Sequence, residues 1–384
     1  MIGGRAILAI DPDALRKLSV DHTVVLVSGT NGKTTTTAML RAALATRGAV
    51  VTNLLGANLP PGLAMALATG PAGVPAVLEV DEAWLGRVAA ATDPALAVLL
   101  NLSRDQLDRN NEVRQLADKW RAVFSERPGL PVVANGDDPM VVWGAATARR
   151  VTWVGAGQPW RVDAAGCPAC GGRIRFEDEP GKMGWACSSC GFRRPPLDLW
   201  LEPGEVVFAS GRRIPLSLHL PGRCNEANAA MALAAALRLG IGEEAAAAAI
   251  GGPSEVAGRY RTVTVGGVRA RLLLAKNPAG WLEVFDLLAP PPGPVVVAIN
   301  AHLADGRDPS WLWDVPFERL RGRLVVATGE RGRDLAVRLR YAEVEHRHEP
   351  DLVAAIGVAG QAEVDVVANY TSFQALSARL DRAA

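Results

Sequence analysis

Short apolar runs alternate with stretches of helical periodicity along this chain, and that alternation predicts an α/β protein built on a parallel sheet. The first run, HTVVLVS at His22–Ser28, predicts a buried strand. A glycine-containing loop follows it, and then a helix is expected from about Thr34 to Thr46. Further strands are expected at Ala49–Thr52, Val74–Val80, Ala95–Leu100, Pro131–Asn135 and Val151–Val154, and Ala-rich helices at Asn225–Leu239 and Glu243–Ile250.

A second series of apolar runs predicts a separate, smaller α/β domain near the end of the chain. Arg261–Ala275 has the pattern of a hairpin that turns at Gly266-Gly267, and strands are expected at Val295–Ile299, Leu324–Thr328 and Val364–Ala368. The stretch 161–220 differs, because it is rich in turn residues and contains short β-like pieces such as Glu205–Phe208. We therefore expect a central domain over residues 1–160 and 221–257, an insertion over 161–220 and a C-terminal α/β domain over 258–384.

Composition narrows the class of protein without naming an activity. The 384 residues include 41 Lys and Arg against 40 Asp and Glu, and a net charge of +1 gives no argument for broad nucleic-acid binding. No apolar run approaches the roughly 18 residues that a membrane span needs, and no signal peptide is recognisable, so a cytosolic location is expected. In that reducing compartment, cysteine pairs indicate a metal site rather than disulfides.

The segment Ser28–Thr35, SGTNGKTT, has the context of a phosphate-binding loop, because it follows an expected strand and opens an expected helix. Backbone N–H groups and the helix N-terminus favour anions. Lys33 could neutralise the outer phosphates, and the Thr34 hydroxyl is placed to bind Mg²⁺. The expected ATP site comprises Gly29, Thr30, Asn31, Gly32, Lys33, Thr34 and Thr35. The alternative is a glycine turn that caps a helix, with Lys33 exposed.

The loop GTNGKTTT resembles the ATP loop of the Mur ligase family, with only two residues between its glycines where the common P-loop has four. Members of that family activate a carboxylate as an acyl phosphate, which an amine then attacks. Other segments follow the family's order along the chain: Thr52-Asn53, Glu79 in LEVDE, Asn101 in NLSRDQLDR, Asn225 and Asn228 in CNEANAA, and Gly258-Arg259. The resemblance implies a P-loop central domain that binds ATP and Mg²⁺, with Asn225, Asn228 and Arg259 at the nucleotide.

The resemblance also implies that Glu79 is a Mg²⁺ ligand at a strand end, although it could instead be a helix-start carboxylate like Asp81 and Glu82. The two asparagines could simply cap an Ala-rich helix. The chain departs from many relatives at Gln106, where they carry a histidine that often serves a second metal site. Lys119 lies where some relatives have a carbamylated lysine, and the alternative is an ordinary solvated side chain.

Four cysteines, Cys167, Cys170, Cys187 and Cys190, form two CxxC pairs separated by 16 residues, and a glycine follows each pair. This spacing is typical of a zinc ribbon, in which four thiolates enclose Zn²⁺ with no open position for catalysis. We therefore expect a structural zinc that holds together an insertion with few apolar residues. A nucleic-acid-binding ribbon is the alternative, but Glu177–Glu179 interrupts its basic residues.

Two segments of the last domain, Lys276–Trp281 (KNPAGW) and Ala304–Asp314 (ADGRDPSWLWD), resemble the amidating branch of the Mur ligase family. The implied reaction is ATP-dependent amidation of the D-glutamate α-carboxylate in the peptidoglycan stem of lipid II, at the inner face of the membrane. Ammonia would come from a GatD-type glutaminase, whose catalytic triad is completed by an aspartate of this domain. Asp308 and Asp314 are the candidates for that catalytic role, and Asp308 could alternatively cap a helix.

The cysteines of the chain are consistent with a separate glutaminase partner. A glutaminase needs a cysteine nucleophile, and four of the five cysteines have the metal-binding spacing, while no nucleophile elbow surrounds Cys224. Two other functions remain open from the sequence. One is an amino-acid ligase of the ordinary Mur or folylpolyglutamate type, and the other is a nucleotide-regulated zinc-ribbon interaction module without catalysis.

Overall fold

The computed structural model describes residues 2–53, 56–105, 113–177, 184–254, 260–360 and 362–381. Contacts divide the chain into two compact units. The first comprises Met1–Ser103 with Glu112–Ser254, and the second comprises Arg104–Asn111 with Glu255–Ala384. The boundary expected between residues 257 and 258 falls within 255–259, outside the described residues.

The strands of the first unit are β1 Val24–Ser28, β2 Val51–Thr52, β3 Ala76–Val80, β4 Leu96–Leu99, β5 Val132–Asn135, β6 Val151–Gly155, β7 Ile174–Glu177, β8 Gly184–Cys187, β9 Leu199–Glu202, β10 Glu205–Phe208 and β11 Arg213–Pro215. Over the described residues, nine of them form one sheet in the order β11-β10-β9-β6-β5-β4-β1-β3-β2. Seven neighbouring strands of this sheet, in the order β9-β6-β5-β4-β1-β3-β2, pair in parallel, as the apolar pattern predicted for those up to β6. All five residues of β1 are buried, so both faces of the sheet are covered.

The helices of this unit are α1 Ile2–Ile10, α2 Ala14–Ser19, α3 Lys33–Ala45, α4 Pro60–Thr69, α5 Leu85–Thr92, α6 Val113–Glu126, α7 Pro139–Ala145, α8 Arg223–Arg238 and α9 Glu243–Gly251. α3, α8 and α9 pack against one another, whereas α1, α2, α4, α5, α6 and α7 form a second group. α3 and α8 matter most for the site, because each begins next to the loop that follows β1. The largest buried side chains of the second group include Trp120 and Phe124 on α6.

The stretch Leu199–Pro215 belongs to the central sheet, although the expected insertion included it. β9 continues the sheet in parallel beside β6, and β10 and β11 add an antiparallel edge. Gly204 turns the chain between β9 and β10 with φ of 75°, a conformation that favours glycine. Buried and half-exposed residues alternate along β9, whereas the inner parallel strands are continuous apolar runs. Because of this difference, the sequence pattern did not assign β9 to the parallel sheet. The separate part of the insertion is therefore shorter than 161–220.

That shorter part is a small ribbon formed by the antiparallel pair β7 and β8. Its buried residues are few: Ile174, Trp185, Cys167 and Cys187 cluster against Val142 of α7. The Trp185 indole Nε1 donates a hydrogen bond of 3.0 Å to the carbonyl oxygen of Gly136, just after β5. The ribbon is therefore anchored to the carboxyl end of the central sheet.

The four thiols of the ribbon converge. Their Sγ atoms all lie within 4.8 Å of one another, with Cys167–Cys190 at 3.8 Å and Cys170–Cys187 at 3.6 Å. A tetrahedral zinc with Zn–S bonds of about 2.3 Å requires sulfur separations of about 3.8 Å. The amides of Gly172 and Ser189 donate to the sulfurs of Cys170 and Cys187. The cluster thus fits a metal ion that prefers tetrahedral coordination by four thiolates.

The second unit contains β12 Tyr260–Val265, β13 Val268–Leu274, β14 Val295–Ala298, β15 Val325–Thr328, β16 His346–His348 and β17 Glu363–Ala368, with helices α10 Pro278–Phe285, α11 Gly332–Tyr341, α12 Leu352–Val358 and α13 Tyr370–Asp381. Its sheet has the order β12-β13-β17-β14-β15-β16 and is parallel except for the β12–β13 hairpin. The hairpin turns at Gly266 and Gly267, as expected. In the described part of the chain, no helix combines the length and the apolar character that crossing a bilayer requires.

The ribbon generates the first prediction. We expect freshly purified protein to contain one tightly bound zinc per chain, and we expect Cys167→Ser to lower the melting temperature and the zinc content. The reason is that a region with so few buried apolar side chains depends on metal closure. Metal analysis with thermal unfolding checks this, and Cys224→Ser, outside the cluster, is the matched control. Zinc-free wild type, or equal effects of both variants, would contradict the prediction.

Candidate functional site

The loop after β1 is shaped by two glycines that cannot be replaced without a clash. Gly29 has φ of 148° and Gly32 has φ of 82°. A Cβ atom on Gly29 would lie 2.8 Å from the Cβ of Leu100, and one on Gly32 would lie 2.3 Å from the Oδ1 of Asn228. Helix α3 begins directly afterwards at Lys33. The loop therefore leads from a buried strand into a helix N-terminus, the arrangement that binds phosphate in P-loop proteins.

The chain that follows β4 holds this loop in place. The amide of Asn31 donates to Asn101 Oδ1 at 2.9 Å, and Asn101 Nδ2 donates back to the Asn31 carbonyl at 3.1 Å. The Thr30 amide donates to the Asn101 carbonyl at 2.9 Å, and the Ser103 amide donates to Thr30 Oγ1 at 3.0 Å. These bonds tie the loop to the segment that follows β4.

Lys33 is buried, with 3% of its surface exposed, and its ammonium group makes three close contacts. Nζ lies 3.1 Å from Glu82 Oε2 and donates to the carbonyl oxygens of Gly29 at 2.5 Å and Thr30 at 3.2 Å. The solvent-exposed alternative for Lys33 is therefore wrong. The positive charge is held directly beneath the loop.

Thr34 and Glu79, which were predicted to bind the same metal, lie together. The Thr34 hydroxyl, in the first turn of α3, donates to Glu79 Oε2 at 2.8 Å, and Glu79 lies on β3, the parallel neighbour of β1. Glu79 is 2% exposed, and Asn53 fixes its backbone with two hydrogen bonds of 2.8 Å. A hydroxyl and a carboxylate are hard oxygen donors of the kind that Mg²⁺ prefers. The donor set fits this ion.

The two asparagines of α8 occupy different positions. Asn228 reaches the first turns of α3, where its Oδ1 accepts a hydrogen bond of 3.2 Å from Thr36, and its side chain lies next to Gly32 of the loop. Asn225 lies one helical turn earlier and donates to the carbonyl oxygen of Pro221 at 2.7 Å. The N-cap of α8 is Gly222, so neither asparagine has the capping role that was the alternative. Arg259 and Gln106 lie outside the described residues, and Lys119 is an exposed residue of α6.

Asp308 and Asp314 flank a short 3₁₀ helix, Ser310–Trp313, in the second unit. Both are exposed. Asp308 Oδ1 accepts a hydrogen bond of 2.8 Å from the Ser310 amide, so Asp308 does stabilise a turn. Asp314 Oδ2 lies 3.4 Å from an Arg104 guanidinium nitrogen. Either carboxylate is accessible to another molecule.

Two buried acids contribute to the site in ways that the sequence analysis missed. Glu82 is the ion-pair partner of Lys33, and the indole of Trp120 donates to its backbone carbonyl at 2.9 Å. Asp138 accepts hydrogen bonds from the amides of Leu102 and Met140 and from Gln158, and burial raises its pKa to about 6. The Asp138-Pro139 pair was a readable N-cap signal for α7. No sequence feature near Lys33 or Glu82 indicated that these two residues would pair.

Two family models match the chain, and solved structures share its fold. Residues 27–164 match the model described as the Mur ligase middle domain, and residues 274–373 match the one described as MurT ligase C-terminal. A solved pseudomurein peptide ligase type C from Methanothermus fervidus shares the fold, with a TM-score of 0.73, 19% identity and coverage of 94% of this chain and 78% of that one. MurF from Acinetobacter baumannii is similar at a TM-score of 0.66 and 16% identity, covering 96% and 78% of the two chains.

Curated relatives cover most of the chain. It is 31% identical to the MurT subunit of the glutamine-hydrolyzing lipid II isoglutaminyl synthase of Streptococcus pneumoniae, over 88% of this chain and 81% of that protein. Identity to the MurT subunit of Staphylococcus aureus is 29%, over 89% and 83%. Similarity of this extent, together with a P-loop, a buried carboxylate and a four-cysteine ribbon in one unit, leads to one conclusion. The chain belongs to the MurT family of Mur-ligase-like proteins.

Proposed function

We propose that this chain is the ATP-using synthetase subunit of a lipid II isoglutaminyl synthase. It amidates the α-carboxylate of D-glutamate in the peptidoglycan stem peptide and produces D-isoglutamine. The observation that carries the proposal is the convergence of Lys33, Thr34 and Glu79 on one loop in a chain of the MurT family. The substrate class follows from the names of the relatives.

The proposed reaction has two steps. A carboxylate oxygen attacks the γ-phosphorus of ATP, and the bond from that phosphorus to the ADP oxygen breaks. Ammonia then attacks the carbonyl carbon of the acyl phosphate, loses a proton, and expels inorganic phosphate, which carries away one oxygen of the original carboxylate. The first step brings two anions together, so the site must offset their repulsion.

In this proposal the P-loop amides and Lys33 bind the phosphates, and Glu82 keeps the ammonium group oriented from below. Thr34 and Glu79 would hold Mg²⁺, which neutralises phosphate charge when it is bound. Asn228, which lies next to Gly32 of the loop and bonds to Thr36 of α3, would help to position the nucleotide. Asn225 and Arg259 are proposed nucleotide contacts as well, by resemblance to the family.

Ammonia is proposed to come from a GatD-type glutaminase subunit that binds this chain. The four ribbon cysteines occupy an arrangement that could hold a metal, and the sequence around Cys224 has no nucleophile elbow. One of the two exposed aspartates, Asp308 or Asp314, would complete the partner's triad by orienting its histidine. The substrate is lipid-linked, so the complex would work in the cytoplasm at the inner face of the membrane.

The proposed function is tested with Lys33→Ala, which we expect to lower ATP-dependent amidation of lipid II at least about 100-fold. Removing Lys33 also removes the ammonium group that pairs with the buried Glu82, so the double variant Lys33→Met with Glu82→Gln checks the result with both charges of that ion pair removed. The measurement is the product mass with ammonium as nitrogen source. Amidation lowers the mass slightly, whereas amino-acid ligation raises it by a whole residue. Lys17→Ala, at an exposed lysine of α2, is the control, and near-normal turnover in both folded Lys33 variants would refute the assignment.

Glu79→Gln should raise the Mg²⁺ concentration needed for half-maximal turnover and lower the maximal rate, with a smaller change in ATP affinity. The amide keeps the shape of the side chain and its contact with Thr34, but it loses the charge that attracts the metal. A magnesium titration of turnover, with ATP binding measured in parallel, checks this. A titration curve superimposable on that of the wild type would count against Glu79.

Either Asp308→Asn or Asp314→Asn should sharply lower glutamine-dependent amidation, while amidation with added ammonium and binding of the partner survive. The expected loss is at least about 100-fold, because the imidazole of a triad depends on its carboxylate for orientation and charge. An amide oxygen at position 308 still accepts the bond from Ser310, so the turn is kept. Turnover with each nitrogen source is measured separately.

Asp286→Asn is the matched control, since Asp286 is an exposed acid of the same unit that pairs with Arg319 at 2.8 Å. Equal loss with both nitrogen sources would assign these residues to the synthetase reaction or to folding. No loss in either variant would place the triad aspartate elsewhere.

A further inference from the structure

The small ribbon of the first unit has two faces of opposite character. Ile174 and Phe176 of β7 belong to the apolar cluster that packs against Val142 of α7. Arg173 and Arg175, which alternate with them, are exposed. Successive side chains of a strand point to opposite faces, so the two arginines share the outer face of the ribbon. That outer face has no part in the proposed reaction.

The strand pairing brings a third arginine onto the outer face. Arg175 pairs with Ala186 of β8, and Ala186 pairs on its other side with Arg193, which is also exposed. Residues that pair directly across strands lie on the same face, so the small side chain of Ala186 lies between two arginines. The Cα atoms of Arg175 and Arg193 are two strand spacings apart, or about 10 Å. The outer face thus presents a group of three arginines around a residue that leaves room between them.

The three guanidinium groups are not neutralised by neighbouring acids. Over the described residues, no carboxylate forms an ion pair with any of them, and Arg193 Nε donates to the carbonyl oxygen of Gly191 at 3.4 Å. Arg213 at the edge of the central sheet, by contrast, pairs with Glu202 at 2.9 Å. Like charges that are gathered on one small surface repel one another, and an anion placed against them would offset that repulsion. The outer face is therefore complementary to an anionic surface.

The ribbon lies at the edge of the central sheet where the P-loop is found. Trp185 ties the ribbon to the carbonyl oxygen of Gly136, just after β5, and the P-loop follows β1. In the sheet, β4 lies between β1 and β5, and all three strands are parallel. The two features are therefore at carboxyl ends of strands that are about 10 Å apart. A surface that holds the ribbon would keep the phosphate site close to it.

We infer that the outer face of the ribbon, formed by Arg173, Arg175 and Arg193, docks the protein on an anionic membrane surface. The inference rests on the proposed function, in which the substrate is anchored in a bilayer by its lipid. Each basic side chain near an anionic leaflet adds to the attraction, and three of them give a weak, reversible attachment. The lipid-linked substrate supplies a second point of contact, and two weak contacts with one surface reinforce each other.

Nucleic acid is the other polyanion that a basic ribbon could bind, and two observations favour the membrane. Proteins that bind single strands combine basic side chains with accessible aromatic rings on which bases stack. The rings of Phe176 and Trp185 instead belong to the apolar cluster on the inner face. A basic track for a phosphate backbone would also have to continue along the ribbon. Here the exposed Glu177 ends β7, and Asp178 and Glu179 follow in the sequence.

The test is co-sedimentation of the full chain with vesicles that contain no substrate. Vesicles of phosphatidylcholine and phosphatidylglycerol in equal parts provide the anionic surface, and vesicles of phosphatidylcholine alone provide the neutral one. The triple variant Arg173→Gln, Arg175→Gln, Arg193→Gln should bind the anionic vesicles roughly 100-fold more weakly than the wild type, at about fivefold per arginine. The triple variant Arg173→Lys, Arg175→Lys, Arg193→Lys should bind like the wild type, because the attraction depends on charge rather than on the shape of the guanidinium group.

The matched control removes the same charge from separate positions of the first unit. It combines Arg41→Gln, Arg150→Gln and Arg238→Gln, at three exposed arginines of α3, the start of β6 and the end of α8. This control should bind the anionic vesicles nearly as the wild type does, because its arginines are not grouped on one face. Zinc content and melting temperature, measured for every variant, verify that the ribbon keeps its fold.

Three results would overturn the inference. The first is equal binding of the wild type and the glutamine triple variant of the ribbon to anionic vesicles. The second is an equal loss of binding in the control, which would reduce the effect to net charge. The third is a glutamine triple variant that loses binding to a single-stranded DNA oligonucleotide while its vesicle binding is unchanged, since the face would then be a nucleic-acid surface.

Amidation assays separate this inference from the proposed function. With lipid II in anionic vesicles, the glutamine triple variant should have a raised KM and a nearly unchanged kcat, because docking brings the protein to its substrate and takes no part in the reaction. A water-soluble stem peptide should be amidated by the variant and the wild type alike. If the wild type amidates neither substrate, the proposed function fails, and the substrate-free vesicles still decide whether the ribbon binds a membrane.

Discussion

Acyl-phosphate chemistry brings two anions together, and in the proposed site the Mg²⁺ that offsets their repulsion would be held by Thr34 and Glu79, which a hydrogen bond already joins. The bond joins the helix that starts after β1 to the end of β3, and it exists because the two strands are parallel neighbours whose carboxyl ends lie at one edge. The buried Lys33–Glu82 ion pair lies beside it. A slip of one residue between β1 and β3 would turn Glu79 to the opposite face of the sheet. The tight packing of these two strands is therefore a condition for the chemistry.

The remainder of the first unit supports that edge from two sides. On one side, Asn101 and Ser103 hold the P-loop, and Asp138 connects their segment to the start of α7. On the other side, the ribbon is attached through Trp185 to the carbonyl of Gly136. A four-cysteine cluster commonly stabilises a small fold and nothing more. Here the cluster also holds the ribbon strand that carries Trp185, and with it the attachment of the ribbon to the end of β5.

Apart from β9 and the short β16, the sequence predicted the parallel strands to within a residue or two, because buried parallel strands are continuous apolar runs. The P-loop and the cysteine spacing were equally readable, since each depends on residues close in the chain. Three features were not. β9–β11 were assigned to the insertion because an alternating pattern does not tell which sheet a strand joins. The Lys33–Glu82 pair spans 49 residues and needs the strand order to be known. The N-terminal helices α1 and α2 are short and were not recognised in an apolar stretch of Met1–Ile10 followed by acidic residues.

The central claim is that this site activates a carboxylate by transferring phosphate to it. The direct measurement uses lipid II whose D-glutamate α-carboxylate is labelled with ¹⁸O, incubated with ATP, Mg²⁺ and ammonium. An acyl phosphate transfers one carboxylate oxygen to phosphorus, so mass spectrometry of the released inorganic phosphate should find one ¹⁸O per amide formed. Amidation that leaves the phosphate unlabelled would contradict the account.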